Sequence, residues 1–184
     1  MKSKLTDTEL RLIAELMKNS RRSDREFAKR LGVSQPTVGR MIKRLEEKGA
    51  IKQYTVIPDF EMLGFELLSV ILTKMKRELT QEEIEEARSQ VLSDETTDPS
   101  PFLMAMTGTG LNRDRVLLLL SENYATYSKY LDRLKKYPLI DVEEIDGFMI
   151  SLSGQEHFLP LTLQSLARNI EKKAKSSKEW NKRM

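Results

Sequence analysis

The fold of this chain is decided by residues 23–49, SDREFAKRLGVSQPTVGRMIKRLEEKG, which predict two helices joined by a very short turn. Ser23 and Glu26 have the spacing of a capping box, in which each side chain bonds a free backbone amide at the start of a helix. Gly32 suits the left-handed residue that ends this helix. Because only Gly32 and Val33 separate the two helices, the helices cannot lie side by side and must cross steeply.

The helix after this turn and one before it carry their own start signals. Ser34 can cap the later helix, with Pro36 in its first turn and Gly49 at its end. Thr6 and Glu9 form a second capping box, which predicts an earlier helix and completes a unit of three helices. The spacing of apolar residues predicts which side chains are buried. In the first helix these are Leu10, Ile13, Ala14 and Met17, and in the third helix they are Val38, Ile42 and Leu45.

The outer face of the third helix mixes amide, hydroxyl and cationic side chains. These groups read base edges in the major groove of DNA and neutralise its phosphates. A solvated charged face would account for the cations, but the tight turn and the small Ala28 at the helix crossing favour groove binding. The predicted DNA-binding residues are Arg22, Ser23, Ser34, Gln35, Thr37, Arg40, Lys43 and Arg44.

Charge is distributed unevenly along the 184 residues, although the net charge is only +3. Residues 1–52 carry 14 Lys and Arg against 7 Asp and Glu, residues 53–154 carry 10 against 18, and residues 155–184 carry 7 against 3. A basic start on an acidic middle indicates that one part meets a polyanion. The sequence has no cysteine, no apolar run long enough to span a membrane and no apolar signal segment. We therefore expect a cytoplasmic protein without disulfides or membrane contacts.

The residues after the basic start predict a strand and then a mixed α/β domain. Residues 50–57 are rich in β-forming residues, which predicts a strand or a minimal wing. Further along, the predicted order is β-α-β-β-α-β, an antiparallel sheet with helices on one face, as in ferredoxin-like folds. The strands are predicted over 65–75, 102–107, 115–121 and 140–152, and the helices over 80–92 and from Asn123 or Thr126 to Tyr137.

The expected fold class is therefore α+β, with an N-terminal (winged) helix-turn-helix domain and a C-terminal ferredoxin-like domain. The helix over 80–92 is expected to bury Ile84, Ala87 and Val91 against the sheet. The apolar run Val116–Leu120 indicates that a partner subunit covers the other face of the sheet. The expected parts are a DNA-binding head (1–53), a strand and linker (54–64), an oligomerisation and effector body (65–154), and a helical extension with a basic tail (155–184).

In this order, head, strand and body resemble the Lrp/AsnC family of leucine-responsive, or feast/famine, transcription regulators. The matching stretches are Leu31–Val38 and Ile42–Ile51 in the head, with Pro58-Asp59 and Leu63-Gly64 where the family connects its domains. The resemblance covers about residues 5–153. It implies sequence-specific regulators without a cofactor that bind pseudo-palindromic double-stranded DNA. It also implies homodimers packed sheet to sheet, often assembled into tetramers or octamers.

The resemblance further implies an amino-acid or other small-molecule effector, held near the loop between the two central strands at subunit contacts. The family usually has a short Gly-x-x-Asp turn there, whereas residues 108–114 predict a longer loop with Arg113 and Arg115 added. The glycines of this loop also suit a plain turn without a ligand. The candidate effector-binding residues are Gly108, Gly110, Asn112 and Asp114.

Two other functions are compatible with this architecture. Haem-pathway decarboxylases resemble the same two-domain arrangement, but they depend on His and Arg residues in the body, whereas the sole histidine, His157, lies in the extension. With no cysteine nucleophile, no histidine cluster and no P-loop, we expect no catalytic residue and no metal site. A protein-interaction module is the other alternative, although cations on successive helical turns are awkward in an apolar interface.

The extension contains an apolar helical stripe before a lysine-rich end. This stripe is expected to pack, while contact with the body, with a neighbouring subunit or with DNA all stay open for the segment as a whole. The residues of the stripe are Leu159, Leu163, Leu166 and Ile170.

Overall fold

The structure is a computed structural model that describes residues 5–92, 100–153, 159 and 161–182. Its helices are α1 (Asp7–Lys18), α2 (Asp24–Leu31), α3 (Gln35–Glu47), α4 (Gln81–Leu92), α5 (Tyr124–Lys135) and α6 (Gln164–Lys182). Its strands are β1 (Leu67–Met75), β2 (Phe102–Gly110), β3 (Arg113–Ser121) and β4 (Ile140–Ser151). The chain forms two compact units, called here the first unit (residues 1–57 with 158–184) and the second unit (residues 58–157).

The predicted capping signals of α1 and α2 are present in the first unit. The Glu9 amide donates to the Thr6 hydroxyl (3.3 Å), and the Thr6 amide donates to the Glu9 carboxylate (2.7 Å). Ser23 and Glu26 repeat this capping box at the start of α2. Gly32 ends α2 with a φ of 71°, the left-handed conformation that glycine adopts without steric cost. The two capping boxes and the tight turn are therefore confirmed.

The core of the first unit lies between α1, α2 and α3. The predicted stripe of α3 is partly wrong, because Met41 is buried whereas Ile42 is only half-buried. The buried positions follow the i, i+3, i+7 spacing of one helix face, which passes through Met41. The buried residues of this core are Leu12, Phe27, Ala28, Leu31, Val38, Met41 and Leu45.

Helix α1 is buried on two sides, which the sequence pattern did not predict. Leu12 and Ala14 are both fully buried, although residues two apart lie about 200° from each other around a helix. Helix α6 packs along α1 within the first unit and accounts for the second covered side. The predicted one-sided face is therefore wrong in part, since Leu10 and Met17 are only half-buried.

Helix α6 packs through small residues rather than through the predicted leucine stripe. Ala167 and Ala174 are fully buried, and Ile170 is half-buried. The helix begins only at Gln164, so the first two leucines of the stripe precede it and cannot share its face. The predicted packing of these leucines is not seen within the chain, where the exposed ones are Leu159 (62%), Leu163 (43%) and Leu166 (52%).

The strand predicted over residues 50–57 is not formed. Residues 52–59 have no regular secondary structure, and Tyr54 and Val56 are 52% and 76% exposed. The Tyr54 hydroxyl instead donates to the Glu46 carboxylate at the end of α3 (3.0 Å). A strand needs a neighbouring strand to satisfy its backbone, and the described residues of the first unit offer none.

The second unit is built on a four-stranded antiparallel sheet in the order β2-β3-β1-β4. With α4 and α5 in the connections, the order along the chain is the predicted β-α-β-β-α-β, and the α+β class is confirmed. Helix α5 covers one face of the sheet, where Tyr127 and Tyr130 pack with Ile71 and Leu119.

The other face of the sheet is apolar. Val70 at the centre of β1 pairs with Leu118 of β3 on one side and with Phe148 of β4 on the other. Met104 of β2 pairs in turn with Leu118, so one apolar row crosses all four strands. Phe148 is 68% exposed, which is unusual for a phenylalanine within a sheet.

The loop predicted over residues 108–114 is wrong, because this segment is a tight hairpin. Strands β2 and β3 continue to Gly110 and Arg113, which pair, and the chain turns at Leu111 and Asn112. Both turn residues are left-handed, with φ of 51° and 54°. Two-residue turns of this kind usually carry Asn or Gly at both positions. Because Leu111 occupies the first position, the sequence pattern did not indicate so short a turn.

Helix α4 forms as predicted, but its expected burial is wrong. Ile84 is 36% exposed and Ala87 is exposed, while the side chain of Val91 lies outside the described residues. Local bonds support the start of this helix, because Glu83 caps it with Thr80 and is held by Arg77 (2.7 Å). Among the described residues, no helix is long and apolar enough to cross a membrane.

Candidate nucleic-acid interface

Helix α3 presents a polar face to solvent in the first unit. Gln35, Arg40 and Lys43 are exposed on the helix, together with Ser34 immediately before it. Thr37 is half-buried. The structure therefore gathers these five predicted residues on one exposed element, with the apolar residues of α3 turned into the core.

Short contacts hold part of this face in place. The hydroxyls of Ser34 and Thr37 lie 2.8 Å apart and share a hydrogen bond. Ser34 occupies the N-cap position, but its side chain makes no capping bond, so the predicted side-chain cap is wrong. The Thr37 hydroxyl has taken the place of the backbone amide as its partner. Arg40 Nε donates to the Pro36 carbonyl one turn earlier (3.3 Å), which orients the guanidinium along the helix.

The remaining polar groups of this face are available to a ligand. Within the described part of the chain, Gln35 and Lys43 make no hydrogen bond or ion pair. Arg40 bonds only its own helix and faces no carboxylate among the described residues. An amide, a guanidinium and an ammonium group on one helix therefore lack a side-chain partner within the described ranges.

Arg44 belongs to a different arrangement, because a buried carboxylate neutralises it. Glu9 is fully buried, and its Oε1 lies 3.0 Å from the Arg44 guanidinium and 3.3 Å from Lys48 Nζ. Burial opposes ionisation of Glu9, but hydrogen bonds from Thr6 and Lys48 and the charge of Arg44 outweigh it and lower the pKa to about 2. Glu9 therefore ties the end of α3 to the start of α1.

A second buried carboxylate, Glu15, engages Arg22 in the same way. Arg22 donates to Glu15 Oε2 (2.8 Å) and to the Glu15 carbonyl (3.2 Å). Lys18 (3.0 Å) and Arg30 (3.4 Å) complete the cluster. Burial opposes ionisation of Glu15, yet the hydrogen bond and charge of Lys18 and the charges of both arginines lower its pKa. Ser23, the remaining predicted residue, is occupied with Glu26 in the capping box (2.9 Å).

Sequence reasoning missed cations on α2 and the two buried glutamates. Arg25 and Lys29 are exposed one turn apart on α2, without an ion pair in the described ranges. Their i, i+4 spacing was visible in the sequence. The sequence indicates the burial of Glu9 and Glu15 less clearly. Each is an acidic residue beside the apolar stripe of α1 in a basic domain, where cations are available to pair with a buried carboxylate.

The hairpin between β2 and β3 borders a cavity of about 370 Å³ in the second unit. Of the four predicted effector-binding residues, Gly108 and Gly110 line this cavity. Asn112 and Asp114 do not line it: Asn112 donates to Glu144 (3.2 Å), and Asp114 accepts from the Met75 amide (3.1 Å). The full lining is Leu72, Gly108, Thr109, Gly110, Leu111, Arg113, Arg115 and Val116.

The two arginines of this cavity differ in their partners. Arg113 is held by Glu144 and by Asp146 (2.8 Å) on β4. Among the described residues, the polar partner of Arg115 is its neighbour Asp114, through a bond to the carbonyl (2.9 Å) and a longer approach to the carboxylate (3.6 Å). Arg115 therefore retains donors toward the cavity. Among the described residues, no three acidic or histidine side chains come together as a metal ion requires, and His157 lies outside those residues.

Residues 5–52 match the family model described as winged helix-turn-helix DNA-binding. The HTH-type transcriptional regulator FL11 of Pyrococcus furiosus is 37% identical over 76 residues, which are 41% of this chain and 50% of that protein. The HTH-type transcriptional regulator LrpC of Bacillus subtilis is 37% identical over 73 residues, 40% of this chain and 51% of LrpC. The chain thus spans about half the length of the curated relatives it matches.

Solved structures share the fold over most of the chain. LrpC of B. subtilis superposes with a TM-score of 0.64 at 22% identity, over 85% of this chain and 100% of that one. The transcriptional regulator NMB0573 of Neisseria meningitidis, solved as a complex with L-Met, gives 0.65 at 22% identity, over 89% and 99%. At such identity the likeness shows the fold alone. The chain is thus similar in sequence, over about 40% of its length, to HTH-type transcriptional regulators such as LrpC, and it shares the fold of the solved LrpC and AsnC structures.

Proposed function

We propose that this chain is a sequence-specific DNA-binding transcription regulator that acts as a homodimer or a higher oligomer. The observation that carries the proposal is the free polar face of α3, where Gln35, Arg40 and Lys43 have no carboxylate partner among the described residues. Other cations of the same unit are neutralised by Glu9 and Glu15. Positive charge is thus left uncompensated on the exposed face of α3, where a helix that binds in a DNA groove needs it.

Each free group has a distinct role in this proposal. Gln35 reads an adenine, because its amide can donate and accept at the same base edge, and Arg40 reads a guanine. Lys43 neutralises a phosphate, as do Arg25 and Lys29 of α2. The hydroxyls of Ser34 and Thr37, which lie together at the start of α3, donate to a DNA phosphate. The identity of the operator then follows from only two or three side chains per subunit.

The apolar sheet face of the second unit supplies the dimer contact. The row of Met104, Leu118, Val70 and Phe148 is self-complementary, so the same face of a second copy covers it by two-fold symmetry. Two linked heads bind two half-sites, and the second contact becomes intramolecular. Half-sites therefore lie about one helical turn, or a multiple of it, apart on pseudo-palindromic DNA.

The cavity beside the hairpin is the proposed effector site. Arg115 there suits a carboxylate, and Gly108 and Gly110 let a ligand approach the backbone closely. The complex of NMB0573 with L-Met supports an amino acid as the class of ligand. Such an effector acts by changing how subunits associate, and through that the spacing of the heads. We propose binding rather than catalysis, because the named relatives are transcriptional regulators.

The test is selection of binding sites from a pool of random duplexes at two salt concentrations, followed by sequencing. We expect a roughly two-fold symmetric motif that survives at the higher salt concentration. The double variant Gln35→Ala with Arg40→Ala is the matched control, and it should bind DNA without selecting the motif. Salt-sensitive binding without any motif in the unaltered chain, or no binding at all, would contradict the proposal.

A further inference from the structure

The extension of this chain is built into the unit that carries α3. Helix α6 comes from the far end of the sequence, yet it packs along α1. Ala14 of α1 and Ala167 and Ala174 of α6 are fully buried, and such small side chains let two helices approach closely. The helix-turn-helix of this chain therefore rests on a fourth helix.

One ion pair fixes α6 against α1. Lys18 Nζ lies between two carboxylates, 2.5 Å from Glu171 of α6 and 3.0 Å from Glu15 of α1. The side chains of Lys18 and Glu171 are 25% and 28% exposed, so water screens this contact only in part. The hydrogen bond from Lys18 to Glu171 is the largest of the effects that raise the pKa of Lys18.

The second oxygen of Glu15 holds both ends of α2. Arg22, two residues before α2, lies 2.8 Å from Glu15 Oε2, and Arg30 in its last turn lies 3.4 Å from the same atom. Helix α2 leads through the two-residue turn into α3. The carboxylate of Glu15 therefore adds to the core contacts that hold α2 on α1, and so helps to position α3, the helix proposed to face DNA.

Glu171 decides how many cations Glu15 must balance. With Glu171 present, two carboxylates face three cations, namely Lys18, Arg22 and Arg30. Without it, Glu15 is the carboxylate that contacts all three, and Glu26 acts on Arg22 and Arg30 only through its nearby charge. Lys18 and Arg22 are half-buried, whereas Arg30 is exposed. With less negative charge between them, these cations repel one another more strongly, and we expect one of them to move outward.

We propose that Glu171 of the extension is a positioning residue for DNA recognition: it holds Lys18 so that Glu15 can keep Arg22 and Arg30, and α2 with them, in place. This inference rests on the proposed function, because it concerns the orientation of α3 on DNA. It assigns the extension a role in the recognition unit, without contact between Glu171 and the DNA.

The first test compares Glu171→Gln with Glu122→Gln on the full chain. Glu122 is exposed in the second unit, so its variant makes the same charge change elsewhere. We expect Glu171→Gln to weaken binding to the selected motif by about fivefold, the equivalent of one partly buried ion pair. Binding to a random duplex should stay equal or tighten, because the variant carries one negative charge less. Glu122→Gln should leave the ratio of specific to random binding unchanged.

The second test combines Glu171→Gln with Arg22→Gln. If Glu171 acts through the cluster, the double variant should lose no more specific affinity than Arg22→Gln alone. Hydrogen exchange should also show faster opening of the α2 amides in Glu171→Gln, and this readout needs no DNA. It keeps failure of this inference apart from failure of the proposed function.

Three results would overturn the inference. One is unchanged exchange of α2 together with unchanged specificity. Another is losses that multiply in the double variant. The third is an equal change of binding to motif and random duplexes in Glu171→Gln, since the variant would then act through its charge alone and not through the position of α3.

Discussion

The buried carboxylate of Glu9 offers a sharp test of what holds α3 in place. Glu9→Gln keeps the shape of the side chain but removes its charge, which leaves Arg44 and Lys48 without their shared anion. A pKa lowered from 4.5 to about 2 corresponds to roughly 3 kcal/mol of stabilisation of the first unit in the ionised state. We therefore expect the variant to lose about 2–3 kcal/mol at pH 7.

The pH dependence follows from the sign of the shift. Because the folded-state pKa lies below the ordinary value, the stabilisation is fully present above pH 4.5 and is lost as the pH falls toward 2. The unaltered chain should lose this increment over that interval, whereas Glu9→Gln should be flatter there. Urea unfolding followed by far-ultraviolet circular dichroism at a series of pH values measures both curves.

Glu83→Gln is the matched control for this experiment. The pKa of Glu83 is also lowered to about 2, mainly by the hydrogen bond from Arg77 and by the Thr80 amide, but this pair lies on the surface of the second unit. Solvent screens such a contact, so Glu83→Gln should change stability far less than Glu9→Gln. Equal effects of the two variants, or a Glu9→Gln deficit that does not depend on pH, would refute the assigned role of burial.

Three further outcomes are expected. Arg40→Ala should weaken motif binding by about tenfold to a hundredfold and relax the base preference at one base pair. Lys43→Ala should weaken binding to all duplexes and lower the slope of affinity against salt concentration by about 0.9. Fluorescence anisotropy titrations measure both effects, and equal effects of the two variants on every sequence would contradict their separate roles. Phe148→Asp should convert the proposed dimer to a folded monomer in light scattering, and a dimer that persists in this variant would exclude the apolar sheet face as its contact. Gly147→Ala should lower the melting temperature, because a Cβ atom at residue 147 would overlap the hydroxyl oxygen of Tyr127. The Cζ atom of Tyr127 lies 3.6 Å from that Cβ position, so the overlap is with the hydroxyl oxygen. Adding Tyr127→Phe should restore much of the loss, and failure to do so would mean that the overlap is not the cause.

The parts of the fold that sequence predicted are those governed by local chemistry. The capping boxes at Thr6 and Ser23 and the left-handed Gly32 depend on residues within one turn of each other, so their spacing is sufficient. The order of strands and helices in the second unit followed from apolar runs and their periods in the same way.

The parts that sequence missed depend on partners far along the chain. Nothing near Ala14 indicates that a helix beginning at Gln164 will cover it. The β-forming residues around Val56 predicted a strand, but strand formation requires a neighbour that the described first unit does not provide. Burial depends on what packs against an element, and periodicity reports only which face is apolar.

In the candidate site, too, the sequence predicted what depends on local pattern and missed what depends on distant partners. The exposed character of Gln35, Arg40 and Lys43 followed from their places on α3, because the opposite face was visibly apolar. The neutralisation of Arg22 and Arg44 did not follow, since it requires carboxylates on α1 that become neighbours only after folding. A cation in a sequence is thus a candidate for phosphate contact only until its internal partners are known.

The most direct test of the central claim is methylation interference on the selected duplex, with the unaltered chain and with Arg40→Ala. If α3 of each subunit reads a half-site, methylation of guanine N7 should block binding in two groups whose centres lie about 10–10.5 base pairs apart, or a multiple of that. Arg40→Ala should abolish the guanine effect in both groups at once. A single unsymmetric group, or two groups that Arg40→Ala leaves unchanged, would contradict recognition of DNA by this helix in a symmetric dimer.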